Sequence, residues 1–565
     1  MSLIGSIQIA KNALFAAQVG LQVTGNNIAN ASTPGYIRQE VVLTPAPTQL
    51  IGQLPLGLGV QVDGIIQQTD RFLAERLRGA ISDLSNSETQ ERSFLELEAL
   101  IGELSDTDLS TSLTDFFATI QNVLNQPENI SIRNFAALQG GTLTDDLRRM
   151  DQRVRDLLNN VNEEIASSAD DINGYLKEIA ELNVKIVIME AGISDASQAV
   201  GLRDRRELAL AGLSEIMGIR AVEQPDGSVS VFAGGDFLVF AGERRTVSVG
   251  LGPEDETARA TINVADNDAP ITASSGRLAG LYATRDEILG GFLDNLDTFS
   301  RALAFEFNKV YSSGQGLSGY GELTSESAVN DAAGALDQAG LQFTPVNGSF
   351  QFLLQNTRTG MKETTDILVD LNGLDDDMSL NDLAEAINAV EGVSAEVTSE
   401  RKLSITSESP VMEFGFANDT SGVLAALGMN VFFTGSSAAT LSVSEIVRED
   451  PSKFAASRGG IGADADNAVI LAEFATQELE SQNGMSLVGV YDRMLAETTQ
   501  ASSVTQAVAE GFRMFQRTLE GQQLGISGVS IDDEAINMIT YQRAYQASAR
   551  MIATLNELLN VLVNL

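Results

Sequence analysis

At 565 residues the chain is too long for one core, and its length predicts roughly three or four domains. With 43% apolar and 20% charged residues the composition is that of a globular protein rather than a disordered one. Cysteine, histidine and tryptophan are absent, which excludes disulfides, thiol nucleophiles, thiolate and imidazole metal sites and a Ser-His-Asp triad, while a formal net charge of −41 disfavours nucleic acid and anionic membranes as partners.

The first predicted element is a helix over residues 3–28. Leu3, Ile7, Ala10, Leu14, Ala17, Leu21, Thr24 and Ile28 alternate steps of four and three, which sets all of them on one seam with coiled-coil spacing. The seam stops in the breaker-rich run Asn26-Asn27-Ile28-Ala29-Asn30-Ala31-Ser32-Thr33-Pro34-Gly35-Tyr36, where Pro34 cannot continue a helix. Residues 37–68 read as short strands, interrupted by Pro45, Pro47, Pro55 and several glycines. From Asp70 to about Met217 the apolar period is helical, with Pro127 and the Gly140-Gly141 pair as expected breaks. Ile219 to Phe240 then alternates as strands around a Pro225-Asp226-Gly227 turn, as period-2 patterning requires.

A further helical pattern runs from Leu278 to Tyr311. An acidic module follows, with Ile367, Val369 and Leu371 on a strand, Ser379 and Asp382 as a capping box before a helix to about Val390, and Val393 to Val397 and Leu403 to Ile405 as two more strands. This β-α-β-β unit reads as an insertion, with Gly314–Gly321 and Gly459–Gly462 as flexible boundaries. From Asp466 to the end the helical period returns, broken near Gly525–Ser530. The last stretch repeats the first in mirror image. Met538, Tyr541, Tyr545, Ser548, Ile552, Leu555, Leu559 and Leu562 alternate three and four, and Ala544, Met551, Leu558 and Leu565 widen the stripe. Charge follows the same division. Residues 1–60 carry +1 and residues 531–565 carry −2, so residues 61–530 hold −40 of the −41. Nearly neutral ends pack closely, whereas an acidic middle repels its copies.

The expected fold class is multidomain α+β. Terminal helices from residues 1–60 and 526–565 form a coiled-coil-like core. A long α-helical bundle domain spans 61–320 and 446–525, with a β segment near 219–272. The acidic α+β outer domain covers 321–445. No apolar run reaches the ~18 residues of a membrane span, and the N-terminus lacks the basic and continuous apolar regions of a cleaved signal, so no membrane insertion is expected.

Chemical motifs are sparse. Gly314-Gln315-Gly316-Leu317-Ser318-Gly319 matches a dinucleotide fingerprint in letters, but it follows a helix and opens an irregular stretch, whereas that fingerprint must follow a strand. Ser399-Glu400-Arg401-Lys402 falls on a turn between strands, not at a helix start in a cleft. The aspartates at 366, 370, 375, 376, 377, 464 and 466 do not follow calcium-loop spacing. No catalytic, cofactor-binding or metal-binding residue is expected, and no cofactor.

The segment Asn26, Asn27, Ile28, Ala29, Asn30, Ala31, Ser32, Thr33, Pro34, Gly35, Tyr36, continued by Arg38 and Gln39, resembles the N-terminal signature of the bacterial flagellar axial proteins of rod, hook and hook–filament junction. Ser530-Ile531-Asp532-Asp533-Glu534-Ala535 and the run from Tyr541 to Arg550 are similar to the C-terminus of that family, and the acidic approach and long helical stretch favour its junction members. The resemblance implies a structural, non-enzymatic protein exported unfolded through the flagellar type III apparatus and secreted to the extracellular flagellum. There it forms a short ring zone joining hook to filament. Its implied partners are copies of itself in a ring, hook subunits, an adjacent hook-associated protein, and a cytoplasmic export chaperone that binds the C-terminal segment. The alternative within the family is a hook subunit or another axial protein. An enzymatic insertion on a flagellar scaffold is disfavoured, because histidine-free residues 320–445 cannot supply a metalloprotease.

Overall fold

Helix-breaking residues divide the chain into an alternation of long helices and short antiparallel sheets. The computed structural model describes residues 3–51, 54–102, 109–190, 199–251, 259–374, 377–462 and 464–563. In chain order the elements begin with α1 (Leu3–Ala29), β1 (Gln39–Pro45), β2 (Thr48–Ile51), β3 (Leu54–Gly57), β4 (Val60–Gln67), α2 (Arg71–Gly102), α3 (Leu109–Asn125), α4 (Ile130–Glu190) and α5 (Val200–Ile216). A β-rich stretch follows: β5 (Arg220–Glu223), β6 (Val229–Ala233), β7 (Asp236–Phe240), β8 (Glu243–Arg244), β9 (Val247–Leu251), β10 (Ala260–Val264) and β11 (Ala269–Pro270). Helix α6 (Arg277–Ala283) passes through a π-helical turn at Thr284–Leu289 into α7 (Gly290–Ser312). The acidic region holds β12 (Glu322–Thr324), β13 (Gly348–Asn356), β14 (Lys362–Val369), α8 (Leu380–Asn388), β15 (Val393–Val397), β16 (Leu403–Ser407), β17 (Met412–Ala417), α9 (Val423–Leu427), β18 (Phe433–Thr434), β19 (Ser442–Val443) and α10 (Glu445–Glu449). The chain ends in α11 (Asp466–Glu473), α12 (Leu487–Ser527) and α13 (Ile531–Val563). The fold is multidomain α+β.

Side-chain caps start several of these helices. Asp70 accepts from the backbone of Phe72 and Leu73 at the start of α2, Asn129 accepts from Ser131 before α4, and Ser379 and Asp382 form the reciprocal capping box of α8. Each satisfies amide donors that a helix start leaves unpaired.

The chain divides into two compact units. One comprises Met1–Ser93, Asn159–Arg285 and Ser503–Leu565. Its core is built by α4, α5 and α6 against the strands β6, β7, β9 and β10, with Ile172, Leu176, Leu213, Val231, Leu238, Ile262 and Leu278 fully enclosed. The strands form a four-stranded sheet in the order β5-β6-β7-β8 and a three-stranded sheet in the order β11-β10-β9. Asn183 fastens helix to sheet, donating to the Val229 and Ala241 carbonyls and accepting from Val229 N–H. A smaller cluster of Leu73, Leu77, Ala80 and Leu519 joins α2 to α12.

The second unit comprises Phe94–Leu158 and Asp286–Ser502. Its helical part is organised by rings: Phe116, Phe117, Phe307, Tyr311, Phe432, Phe433, Phe454 and Phe474 contact one another mostly edge-on or tilted, with Phe117 stacked on Phe474 and Phe307 on Tyr311, arrangements that the aromatic quadrupole favours over a face-to-face sandwich. Its acidic part has sheets ordered β14-β13-β17 and β12-β16-β15 around Phe350, Phe352, Phe414, Phe416, Leu383 and Ile405.

Two expectations fail in this unit. Gly140-Gly141 does not break a helix, since α4 runs through it. A Cβ on Gly140 would lie 2.7 Å from the Phe432 ring, so this glycine exists to let the ring approach. Nor are Gly314–Gly321 and Gly459–Gly462 flexible boundaries. Gln315 exchanges backbone hydrogen bonds with Ser457 at 2.8 and 2.9 Å, and Gly462 N–H donates to Gly316. A Cβ at Gly314 or Gly316 would collide with Asn467 or with the Ser452 carbonyl. These glycines allow two backbones to touch, which is a packing role and not a hinge.

Candidate assembly interface

The helices that carry the two seams read from sequence lie against each other. Helices α1 and α13 pack on each other more extensively than any other two elements among the described residues. On α1, Ala10, Ala17 and Thr24 are buried, and Leu3, Ile7, Leu14, Leu21 and Ile28 half-buried. On α13, Met538, Tyr541, Ser548, Ile552, Leu555 and Leu559 are half-buried and Tyr545 is marginally exposed, while almost every residue between them faces solvent. The side chain of Leu562, and Leu565, lie outside the described residues. The register of the pair is marked by Gly20. Its absent side chain makes room for the Tyr541 ring, to which a Cβ would come within 2.5 Å. A glycine inside a helix costs about 1 kcal/mol relative to alanine, and here that cost permits close approach.

Beyond the seam lies a second apolar row with no cover in the single chain. Met551 and Leu558 are 42% and 52% exposed, and Ile536, Ile539 and Val561 on α13 and Ile4 and Phe15 on α1 are also exposed. Ala544 shares that exposure.

The Asn26 to Gln39 segment is a polar knot at the end of α1, built around the buried Asn27 and Gln39. Asn27 is 0% exposed. Its Nδ2 donates to the Gln39 carbonyl at 2.9 Å, and its Oδ1 accepts from Gln39 N–H at 3.0 Å and from the Tyr36 hydroxyl at 2.8 Å. One amide thus occupies both backbone groups of the first residue of β1, as a neighbouring strand would. Asn26 donates to the Tyr36 hydroxyl and to Gln39 Oε1, and Asn30 donates back to the Asn26 carbonyl and Oδ1. Ile28 and Ala29 complete the last turn of α1, and Thr33 donates to Asn30 Oδ1. Pro34 and Gly35 then turn the chain. Gly35 has φ +74°, and a Cβ there would lie 2.5 Å from Leu208, so both backbone angle and space call for glycine.

Arg38 ties this knot to the C-terminal helix. Its Nε donates to Glu534 Oε1 at 2.7 Å, its Nη1 to Gln68 Oε1 at 3.1 Å, and its N–H to the Ser527 carbonyl at 2.9 Å. The Glu534 side chain is 2% exposed, sits in the first turn of α13 with Asp532 and Asp533, and there also meets the positive end of the helix dipole. Burial, helped by Asp204 and Glu534, pushes the Tyr36 hydroxyl up to about 12, so it stays a proton donor to Asn27. Asp204 approaches from α5, accepting from Gln67 Nε2 and Ile37 N–H, and burial lifts its carboxyl to about 6.

Gly20, Asp204 and Gln67 are contributors absent from the sequence-derived set, whereas Glu534 lies in the C-terminal motif, where sequence alone names no partner for it. A glycine within a strong helical pattern was the available signal for the first. Nothing local marks Asp204, because its role depends on a neighbour 137 residues away. Among the described residues no group of three or more acidic side chains is placed to hold a metal ion, and no helix is long and apolar enough to cross a membrane.

Comparison with known proteins converges on one family. The model of the flagellar hook-associated protein FlgK helical domain matches residues 94–324, and that of the flagellar basal body rod FlgEFG protein C-terminal region matches 521–565. The flagella basal body rod protein model matches 7–36, and the flagellin hook IN motif 360–409. Flagellar hook-associated protein 1 of Salmonella typhimurium is 26% identical over 99% of this chain and 99% of its own length. The hook protein FlgE of the same organism is 38% identical, but over only 17% of this chain and 22% of its own. The solved hook junction protein FlgK from Burkholderia pseudomallei has the same fold, with a TM-score of 0.50 and 17% identity, covering 80% of this chain and 100% of that one. With a helical-domain match in the middle, rod and hook models at both ends, and end-to-end similarity to hook-associated protein 1, the chain belongs to the flagellar hook-associated protein 1 family, axial structural components of the bacterial flagellum.

Proposed function

We propose that this chain is the subunit that joins hook to filament, polymerising as a ring through its terminal helices. The observation that carries the reading is the state of those helices. The seam from Leu3 to Ile28 and the seam from Met538 to Leu559 face each other within the chain, while the row at Ala544, Met551 and Leu558 stays open. An apolar row that water still touches, on a helix nearly free of net charge, is suited to a neighbouring axial subunit. The polar knot from Asn26 to Gln39 sets the angle at which the pair leaves the rest of its unit. In this reading residues 1–60 and 526–565 are the assembly domain, and residues 321–445 form an outer module. The chain is secreted unfolded through the flagellar type III apparatus, with a chaperone holding the C-terminal seam beforehand, and acts by shape and adhesion without catalysis.

The local likeness to a hook protein keeps a hook-subunit reading in view. Purified hooks mixed with the protein separate the two. Electron microscopy should find a short terminal cap that blocks further hook growth. Elongation of the hook by this chain would replace the junction reading with the hook reading, and failure to associate with hooks at all would remove both.

A further inference from the structure

Alongside the sheet of the first unit lies a cleft of about 540 Å³ that contradicts the charge of the chain. It is walled by α2, by the link from α5 to β5, by the β6–β7 turn and by the segment before α6. The chain has 77 acidic residues against 36 basic, yet the charged residues lining this cleft are Arg78 and Arg220 and no carboxylate. Its volume falls within the roughly 300–1,000 Å³ typical of ligand clefts.

The two arginines are not equivalent. Arg78 is already engaged by Glu207 at 2.7 Å. Arg220 has no ion pair among the described residues and is held over the ring of its cross-strand neighbour Phe232, 5.5 Å from the centroid. The ring fixes the guanidinium without satisfying its five N–H donors. The lining also includes the two-residue turn Gly234-Gly235, two residues beyond Phe232, with φ +57° and +96°, whose N–H groups have no partner among the described residues. A Cβ on Gly235 would meet nothing within 4 Å, so backbone is presented directly to the opening. Ser274 stands on the rim, and the Ser82 and Ser275 hydroxyls share one hydrogen bond at 2.8 Å.

We propose that this cleft binds an acidic peptide, with one carboxylate on Arg220 and the glycine-turn amides, and the flanking chain along the serines. Planar guanidinium and paired backbone N–H groups are both donors matched to a carboxylate. A single inorganic anion would leave most of the cleft empty, which is why the peptide is favoured. The overall charge of −41 makes the proposal sharp, because a protein so acidic should repel an acidic peptide unless a site collects it.

The test is a fluorescence-anisotropy titration of the full-length protein with a labelled oligoglutamate peptide at low salt. Saturable binding is expected, weakened about tenfold by Arg220→Gln, as loss of a charge-assisted contact does, with no effect from Arg493→Gln, a residue outside the cleft lining. Circular dichroism melts must match between the two variants, and Arg220→Lys should restore part of the affinity. Absence of binding by the wild type, or equal binding by Arg220→Gln, overturns the proposal. Inorganic phosphate that binds where the peptide does not overturns the peptide assignment.

Discussion

Asn27 is where a single atom change should report on how the terminal helix is anchored. Its Oδ1 accepts two hydrogen bonds, while its Nδ2 gives one to the Gln39 carbonyl at 2.9 Å. Asn27→Asp preserves volume and both accepting contacts but turns the donor into an oxygen aimed at another oxygen. Ionised, the new carboxylate is buried with no cation among its hydrogen-bond partners, a situation that costs about 3–5 kcal/mol. Protonated, its O–H can donate to the Gln39 carbonyl and the cost largely disappears. The folded-state pKa of the introduced carboxyl is therefore raised, the folded form binds more protons than the unfolded, and stability is lost as pH rises above the ordinary carboxyl range near ~3.9. Asn27→Ala strips the same contacts without a charge, and should cost about 1–3 kcal/mol per unsatisfied group at any pH. Urea unfolding of the full-length protein near pH ~7.5 and pH ~5.5 gives the comparison relative to wild type. The Asn27→Asp penalty should shrink at the lower pH while the Asn27→Ala penalty holds. A penalty for Asn27→Asp that is independent of pH would refute the anchoring geometry.

Gly20→Ala should lower stability, although alanine is the better helix former by about 1 kcal/mol, because its methyl meets the Tyr541 ring at 2.5 Å; adding Tyr541→Ala should recover part of the loss in a double-mutant cycle. Leu558→Glu, at a position 52% exposed, should leave the melting temperature of the monomer unchanged yet abolish capping of hooks, since complete burial of a leucine is worth about 1.5–3 kcal/mol and a buried carboxylate reverses it. Normal capping would show that the open row is not a contact. Asp204 is lifted to about 6 by burial, so the folded state holds its proton longer and the wild type should gain stability as pH falls from about 7 toward 4; in Asp204→Asn that gain should vanish, as calorimetry across pH can check. Deleting residues 325–440 should unfold the second unit, because it removes Phe432 and Phe433 from the ring cluster and frees Asn308, whose amide bonds the backbone of both. A deletion of 320–428 closed by a short Gly-Ser linker should keep a cooperative helical melt.

The sequence was most legible where periodicity and local chemistry carry the information. The α1 seam, the capping box of α8 and the turn at Pro225-Asp226-Gly227 all follow from spacings within one element. Glycine was the residue most often misread. At 140, 314 and 316 it looked like punctuation, but the deciding contact comes from a residue far along the chain: Phe432, Asn467 or Ser452. A glycine that bends a chain and a glycine that lets another segment touch it have the same letter and neighbours of similar kind. Composition cannot tell them apart, because the second role is fixed only by tertiary contact.

The same reasoning explains why the terminal stripes are informative while ordinary core stripes are not. A core helix hides its apolar side fully, as α7 does with Phe299, Leu303 and Phe307 enclosed. On α13 the 3-4 stripe is only half covered and the heptad-spaced row beside it is open, although the sequence writes both with equal regularity. Burial of apolar surface is what makes such a row favourable to encode, so a regular row that the single chain leaves in water is regular with respect to something outside it. Leu555 and Leu558 differ in sequence by one helical step and in the fold by that distinction. The first is half covered in the single chain, and the second, in the proposed assembly, is the one a neighbouring subunit would cover.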